Sequence, residues 1–348
     1  MLQPLIEQLI EKKPLSNQQV ASAVLALIDP GVDVVTKADF LTRLAEKGET
    51  VEEITAFAAE LRSRSICPPL DPVTRAGEIL DVCGTGGDRL NTFNISTTVA
   101  LVAAAAGLVV AKHGNRAVTG TCGSADVLEA LGVRIELGPD EAARWLRDYG
   151  FAFFFAPHFH PAFKEIGPAR RRCAEKGQRT LFNFMGPLLN PARPSAQLVG
   201  VSRPHLCEPL GKVLQGLGVR RGMVVCGQVG EFHLDELSTL GGNTIAEFYQ
   251  DRGFALSTLD PMAFPLQPSS LAQLAGGDKL ANAGMVRQVL EGSDRGPKRD
   301  AVQLNAAAAL LVADACRSLA EGWDRIGEVI DSGAAIRKLD QLIQASRH

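Results

Sequence analysis

The sequence predicts an α/β protein, with a small all-α unit ahead of a larger unit built on a mainly parallel sheet. Three observations carry that expectation. Helical periodicity runs from Met1 to Arg64, the prolines Pro68, Pro69 and Pro72 end it, and from Glu78 short apolar runs alternate with helical stretches. At 348 residues the chain exceeds what one hydrophobic core usually fills, which also argues for two units. The expected boundaries are residues 1–66 and 74–348.

In chain order, Leu5 and Leu9 begin the helical pattern, and the Ser16 to Leu27 run continues it. "KADFLTRLAEKGE" and "TVEEITAFAAELRSR" complete the unit, where Thr50 followed by Glu53 predicts a capping box. Beyond the prolines, "ILDVC", "LVVAKHG", "FAFFFAP", "QLVGVS" and "GMVVCG" read as strands buried on both faces, as in a parallel sheet. Active sites in such sheets lie at the carboxyl ends of the strands. "RRCAEKGQRTLFNFMGPLLNPARPSA" reads as a long shaped loop crossing between the units, and the tail from Leu304 as Ala-rich helix broken at Gly333.

Composition narrows the function. Lys and Arg number 36 against 39 Asp and Glu, so the net charge of −3 gives no field for nucleic acid or an anionic membrane. Any bound anion must be held locally. Seven scattered cysteines without a CxxC spacing argue against a disulfide framework or a zinc site and predict reduced thiols in the cytoplasm. The start of the chain has acids within its apolar pattern, unlike a signal peptide, and "TTVALVAAAAGLVVA" is too short to span a bilayer.

The chemistry is expected in three places. Gly84-Thr85-Gly86-Gly87-Asp88 follows a strand and precedes a helix opening near Ser96 and Thr97, which makes an anion cradle of free N–H groups. Alone, such a turn is equally a plain tight turn. A second strand ends in Lys112-His113-Gly114-Asn115-Arg116 and leads through Gly120, Gly123 and Ser124 into another helix, so two donor-rich turns suit a ligand with more than one phosphate. Lys112 and Arg116 read otherwise as solvated charges. The adjacent Asp235 and Glu236 suit Mg²⁺ carried by a polyphosphate, with the Ser96 hydroxyl as a further ligand. His158 and His160 alternate as on a strand but lack a third metal ligand, and Arg170 is a candidate fork for a small carboxylate.

Taken in order, "GTGGD", "NIST", "KHGNRAV", "GSADVLEALG", "FAPHFHPAF", "RTLFNFMGPLLNPA", "LDELS", "GPKRDAVQLNAAAAL" and "VIDSGAA" resemble the anthranilate phosphoribosyltransferase family over nearly the whole chain. The resemblance implies a cleft between a helical and an α/β domain, helices from about 160–185 joining the small domain, and pairing of two chains through the helical domain. It implies transfer of the phosphoribosyl group of phosphoribosyl pyrophosphate (PRPP) to the amino group of anthranilate, with Mg²⁺ and release of pyrophosphate, in tryptophan biosynthesis. Carried over by position, Gly84, Gly87, Asp88, Thr92, Asn94, Ile95, Ser96, Thr97, Lys112 and Ser124 would contact PRPP. Ser96, Asp235 and Glu236 would act through the metal. Gly84, Asn115 and Arg170 would face anthranilate, with Pro157, His160 and Phe163 lining its tunnel. No residue is assigned as an acid or base, because a neutral aniline nitrogen attacks directly.

Arg89 departs from the family pattern, standing where glycine is usual. Thr119 and Thr121 replace a serine and an often basic residue, and Cys226 stands where histidine is usual. A diverged phosphoribosyltransferase acting on another aromatic acceptor is therefore the alternative. A pyrimidine nucleoside phosphorylase is disfavoured by "KHGNR" with "NFMGPLLNP". A silent nucleic-acid binder is disfavoured by the retained acid pair and the charge balance.

Overall fold

The computed structural model describes residues 1–117, 121–250 and 253–347. Thr119 lies outside the described residues. Four helices open the chain: α1 (Gln3–Ile10), α2 (Asn17–Ile28), α3 (Val34–Lys47) and α4 (Val51–Ser63). Capping boxes start α2 at Ser16 and α4 at Thr50, where the Thr50 N–H donates to Glu53 Oε2 over 2.8 Å. Glu53 does more than cap, because its buried carboxylate also accepts from Leu15 N and from Lys47 Nζ, both within 2.8 Å. One side chain thus ties the α3–α4 turn to the α1–α2 connection, and its charge is fully hydrogen-bonded, as a buried charge requires.

After the proline linker come, among the described residues, eight strands: β1 (Ile79–Gly84), β2 (Val109–Gly114), β3 (Phe151–Phe155), β4 (Ala196–Gly200), β5 (Arg221–Val229), β6 (Phe232–Leu234), β7 (Asn243–Tyr249) and β8 (Gly253–Leu259). Their order is β3-β2-β1-β4-β5-β7-β8, with β6 on the end of β5. The first five run parallel, and β6, β7 and β8 add antiparallel pairs, so the sheet is mainly parallel as expected. Helices Ile95–Ala105 and Pro297–Val312 are buried almost all round, and their alanines let them pack closely. The chain folds as a helical unit and an α/β unit.

The two units share a core. Side chains of α1–α4 form one apolar cluster with the Phe163–Glu175 helix, the turns around Leu181–Leu189, and Val199, Val224, Cys226 and Phe248 of the sheet. Buried Lys37 of α3 donates to Glu165 O over 3.3 Å. The stretch read as a long loop from Arg171 differs at its start, since Arg171–Glu175 finish that helix before two 3₁₀ turns lead back to β4. The α3 surface offered enough apolar partners to hold a helix through its internal Pro168.

Strands β1 and β4 end side by side, with Gly84 in register with Gly200. Asp235 packs onto both, and a Cβ at Gly200 would lie 1.6 Å from the Asp235 carbonyl oxygen, while one at Gly84 would lie 2.5 Å from its Oδ2. Gly200→Ala is expected to cost at least about 1–3 kcal/mol in urea denaturation, the scale of overpacking. Gly242→Ala is the control, with nothing within 4 Å and ordinary backbone. Equal stability for the two variants would remove this packing constraint.

Candidate functional site

A cavity of about 1,090 Å³ opens at the carboxyl ends of β1 and β2, between the α/β unit and the Phe163–Glu175 helix. Its lining includes every residue singled out from sequence as contacting PRPP, metal or anthranilate. At one end the 84–88 loop is held by two contacts: Thr85 N donates to Gly200 O over 2.9 Å, and Gly86 N donates to Asp235 Oδ2 over 2.5 Å. Beyond the loop, Phe93 N donates to Leu274 O and Gly276 N to Asn91 O, which anchors Thr92 and Asn94. Asn94 precedes the first turn of the Ile95–Ala105 helix without a side-chain cap, and its amide donates instead to Cys122 O over 3.2 Å. That turn borders the cavity through Ile95, Ser96 and Thr97, with the Ile95 N–H already donating to Phe93 O over 2.7 Å.

The acid pair sits against the same turn. Glu236 accepts from both the backbone and the hydroxyl of Ser96, yet burial raises its carboxyl to about 7. Burial and the neighbouring Asp88 and Glu236 push Asp235 well above the usual carboxylate range. Neither acid has a cation within 4 Å among the described residues. Lys112 is fully buried, its Nζ donating to Val82 O over 2.7 Å and to Ser96 Oγ over 3.4 Å. Arg116 is spoken for, since its guanidinium pairs with Glu129 and Asp126 and lies over the Phe155 ring. Of the two cations weighed from sequence, Lys112 is the buried one.

A third acid went unnoticed in the sequence. Asp81, buried in β1, accepts from His113 N and from Asn190 Nδ2, and burial lifts its carboxyl to about 6 despite the nearby Lys112. Its signal was a lone charge inside an otherwise apolar strand. Asp81 and Asn190 tie β1, β2 and the loop before β4 together beneath the cavity floor.

The far end of the cavity is aromatic. Pro157 starts a short helix, Ala156–Phe159, so His158 and His160 do not alternate along a strand. His158 is exposed and His160 buried, which removes the paired-imidazole reading; Pro at a first helical turn is the local cause. From His113 the rings of His160, Phe163 and Phe182 follow at centroid spacings of 5.1, 5.5 and 5.7 Å, and the Arg170 guanidinium lies 5.3 Å over Phe182. The structure puts His113 of the "KHGNRAV" motif in the wall, a role its motif alone does not indicate.

Both imidazoles are neutral with a defined tautomer. Burial lowers His113 to about 3 and His160 to about 4, and each bonds a carbonyl, that of Gly186 at 3.1 Å from His113 Nδ1 and that of Leu189 for His160. A carbonyl only accepts, so the ring nitrogen facing it carries the proton and Nε2 is left as a lone pair. His113 Nε2, His160 Nε2, Asn94 Oδ1 and Thr97 Oγ1 are all buried without a partner, and all four residues line this cavity. Buried polar atoms are rarely left unpaired, and their convergence here marks a site completed by a ligand.

Comparison with known proteins agrees with this geometry. Residues 76–336 match the family model described as "Glycosyl transferase family, a/b domain", and residues 3–65 match "Glycosyl transferase family, helical bundle domain". A relative named anthranilate phosphoribosyltransferase from Herpetosiphon aurantiacus is 44% identical over 332 residues, covering 95% of each chain. The chain belongs to the anthranilate phosphoribosyltransferase family. The solved structure of the family member from Thermus thermophilus aligns with a TM-score of 0.89 at 38% identity, covering 99% of both chains. That of the Saccharomyces cerevisiae family member in complex with PRPP and Mg aligns at 0.87 with 27% identity, covering 98% of this chain and 96% of its own.

Against the family pattern, Arg89 adopts a left-handed φ of 63°, the conformation glycine favours, and is exposed. Thr121 Oγ1 donates to Gly277 O over 3.0 Å. Cys226 is buried in the shared core with its thiol pushed up to about 12 by burial, so it is an inert packing residue.

The neutral histidines make a pH prediction. A folded pKa of about 3 for His113, against 6.5 unfolded, means that its contribution is complete above pH 6.5 and is lost as pH falls towards 3. His113→Asn keeps a donor for Gly186 O and cannot titrate there, so its loss of stability between pH 7 and 5 should be smaller than wild type by about 1–2 kcal/mol. Identical losses in urea titrations at the two pH values would place the imidazole in a solvated setting.

Proposed function

We infer that this chain transfers the phosphoribosyl group of PRPP to the amino group of anthranilate, releasing pyrophosphate, as a pentosyltransferase of tryptophan biosynthesis. The observation that carries this reading is the single cavity whose one end presents phosphate donors and uncompensated acids, and whose other end presents aromatic rings with a guanidinium. On this reading the backbone of Gly84, Gly87 and Asp88, the side chains of Thr92, Asn94, Ser96, Thr97, Lys112 and Ser124, and Ile95 bind PRPP. Arg170 takes the anthranilate carboxylate, Gly84 and Asn115 border the reacting amine, and Pro157, His160 and Phe163 hold the ring. Arg89 lies beside Arg179 and Arg203, at the loop, and borders the same cavity as Arg170.

The residues present fit Mg²⁺. Among the described residues no three His, Cys, Asp or Glu side chains form a ready-made cage, whereas Asp235 and Glu236 are buried carboxylates with no cation within 4 Å and Ser96 adds a hydroxyl. Such a set suits an ion that arrives with phosphate and water ligands of its own, and when bound that ion offsets charge on the departing pyrophosphate. The chain's own work is placement: Lys112 and the helix turn fix the phosphates, and the aromatic end holds the amine near the ribose carbon. A neutral arylamine needs no base to attack.

Two further parts of this reading concern assembly and place. Ile10, Leu25, Val34 and Val35 of the helical unit are between 39% and 56% exposed, and they support a homodimer through that unit. Operation in the cytoplasm is supported by seven free cysteines, and among the described residues no helix is long and apolar enough to cross a membrane.

Loss of anthranilate fluorescence on adding PRPP and Mg²⁺ to the purified protein tests the reaction; no loss rejects it. Asp235→Asn with Glu236→Gln should abolish turnover while the protein stays folded by circular dichroism, and a folded, fully active double variant removes the metal role. Arg170→Ala should raise the KM for anthranilate by about 10- to 100-fold and leave that for PRPP nearly unchanged, since a lost charge-assisted pair costs roughly 1.5–3 kcal/mol. Equal rises for both substrates would place Arg170 elsewhere.

A further inference from the structure

The glycine-rich loop borders two cavities: Gly87, Asp88 and Arg89 line both, and the side towards Arg179 and Arg203 is its outer face. On the outer face lies a separate cavity of about 330 Å³, bordered by Gly87, Asp88 and Arg89 of the loop, Arg179, Ser202 and Arg203, and Glu231, Phe232 and His233 of the β5–β6 turn and β6. Arg179 rests against the loop, its Nη2 donating to Gly87 O over 3.4 Å. Arg89 reaches this place because its backbone takes the left-handed φ of 63°, a conformation that is strained for any residue but glycine. Three arginines therefore meet here from three separate segments of chain.

Partial burial, and then the like charges of Arg203 and Arg89 close by, disfavour the charge on Arg179. The acids at the rim do not relieve them. No carboxylate lies within 4 Å of any of the three guanidiniums among the described residues, although Asp88 and Glu231 border the cavity. Asp88 is turned inward, bonding to Leu90 N and facing Asp235. Three unpaired forks around a small recess, with the Ser202 hydroxyl and His233 beside them, match the donor geometry of phosphate oxygens.

We propose that the outer face of the loop is a second oxyanion site, which takes a phosphate or pyrophosphate ion separately from the main cavity. Bound there, the anion bridges Arg89 to Arg179 and Arg203 and pins the loop. Pyrophosphate released by the proposed reaction and phosphate from solution share this chemistry. Only the first source rests on the functional reading above.

The test is calorimetric titration of the full chain, without Mg²⁺, using inorganic pyrophosphate and, separately, inorganic phosphate. Wild type should bind two equivalents of pyrophosphate per chain. Arg179→Ala with Arg203→Ala should weaken one of them by about tenfold or more, the effect of removing charge-assisted contacts. The other equivalent should be unaffected by that double variant and lost in Lys112→Ala. Arg203→Gln alone, at an exposed side chain, repeats the test if the double variant does not fold. Tighter binding of pyrophosphate than of phosphate at the outer site assigns it to the released product, and equal binding assigns it to phosphate in solution. A single equivalent in wild type, or two equivalents unchanged in the arginine variants, overturns the proposal. Because the readout is binding, a chain inactive towards anthranilate would still show the second equivalent.

Discussion

Asp235 has no room to be anywhere else. Its carbonyl and carboxylate fill the spaces that side chains at positions 200 and 84 would need, so two strand-end glycines and one acid form a single interlocked unit. Close packing makes this a binary constraint, because backbone cannot yield the distance that a methyl group would demand. The consequences reach outward in order. Asp235 holds Gly86 N, which shapes the loop, and Glu236 is delivered to Ser96 at the first turn of the Ile95–Ala105 helix. Lys112 then links Val82 O to the same Ser96 hydroxyl. A parallel sheet supplies such strand ends in a row, and this chain uses those of β1, β2 and β4 to carry its polar groups.

The cavity is in electrostatic tension until something enters it. Burial holds two acids towards their neutral forms and two histidines firmly neutral, and four polar atoms around the same space lack partners. Such arrangements cost stability in the free protein and are compensated when a ligand supplies the missing charges and hydrogen bonds. The same residues that make the empty cavity costly thus make it selective. Its phosphate end asks for a cation together with an anion, and its aromatic end offers lone pairs and one guanidinium. These demands are met by a phosphorylated sugar with its metal and an aromatic amino acid.

Much of this was legible in the sequence, and the exceptions have physical causes. The glycine loop, Lys112 and the acid pair could be read because their chemistry is unusual for tight turns, and ordered motifs along the chain reinforced one another. The helical unit was legible from its period and from Thr50 with Glu53. Four features were not. Alternation of His158 and His160 suggested a strand, but Pro157 favours a helical turn, and spacing alone cannot choose between them. Arg116 looked available until its partners Asp126 and Glu129, one helix away, were brought beside it. Asp81 and the outward use of Arg89 depend on contacts with Asn190, Arg179 and Arg203, more than 85 residues distant in each case, which no local pattern encodes.

The central claim is that the acid pair and the helix turn form one receptor for phosphate and cation together. The most direct measurement is PRPP binding to the full chain by calorimetry, in excess chelator and then with Mg²⁺, alongside Mg²⁺ titrated alone. The account predicts weak binding of either component by itself and PRPP affinity raised by about tenfold or more when both are present, with the gain lost in Glu236→Gln. PRPP affinity that is the same with and without Mg²⁺, in wild type as in the variant, would contradict it.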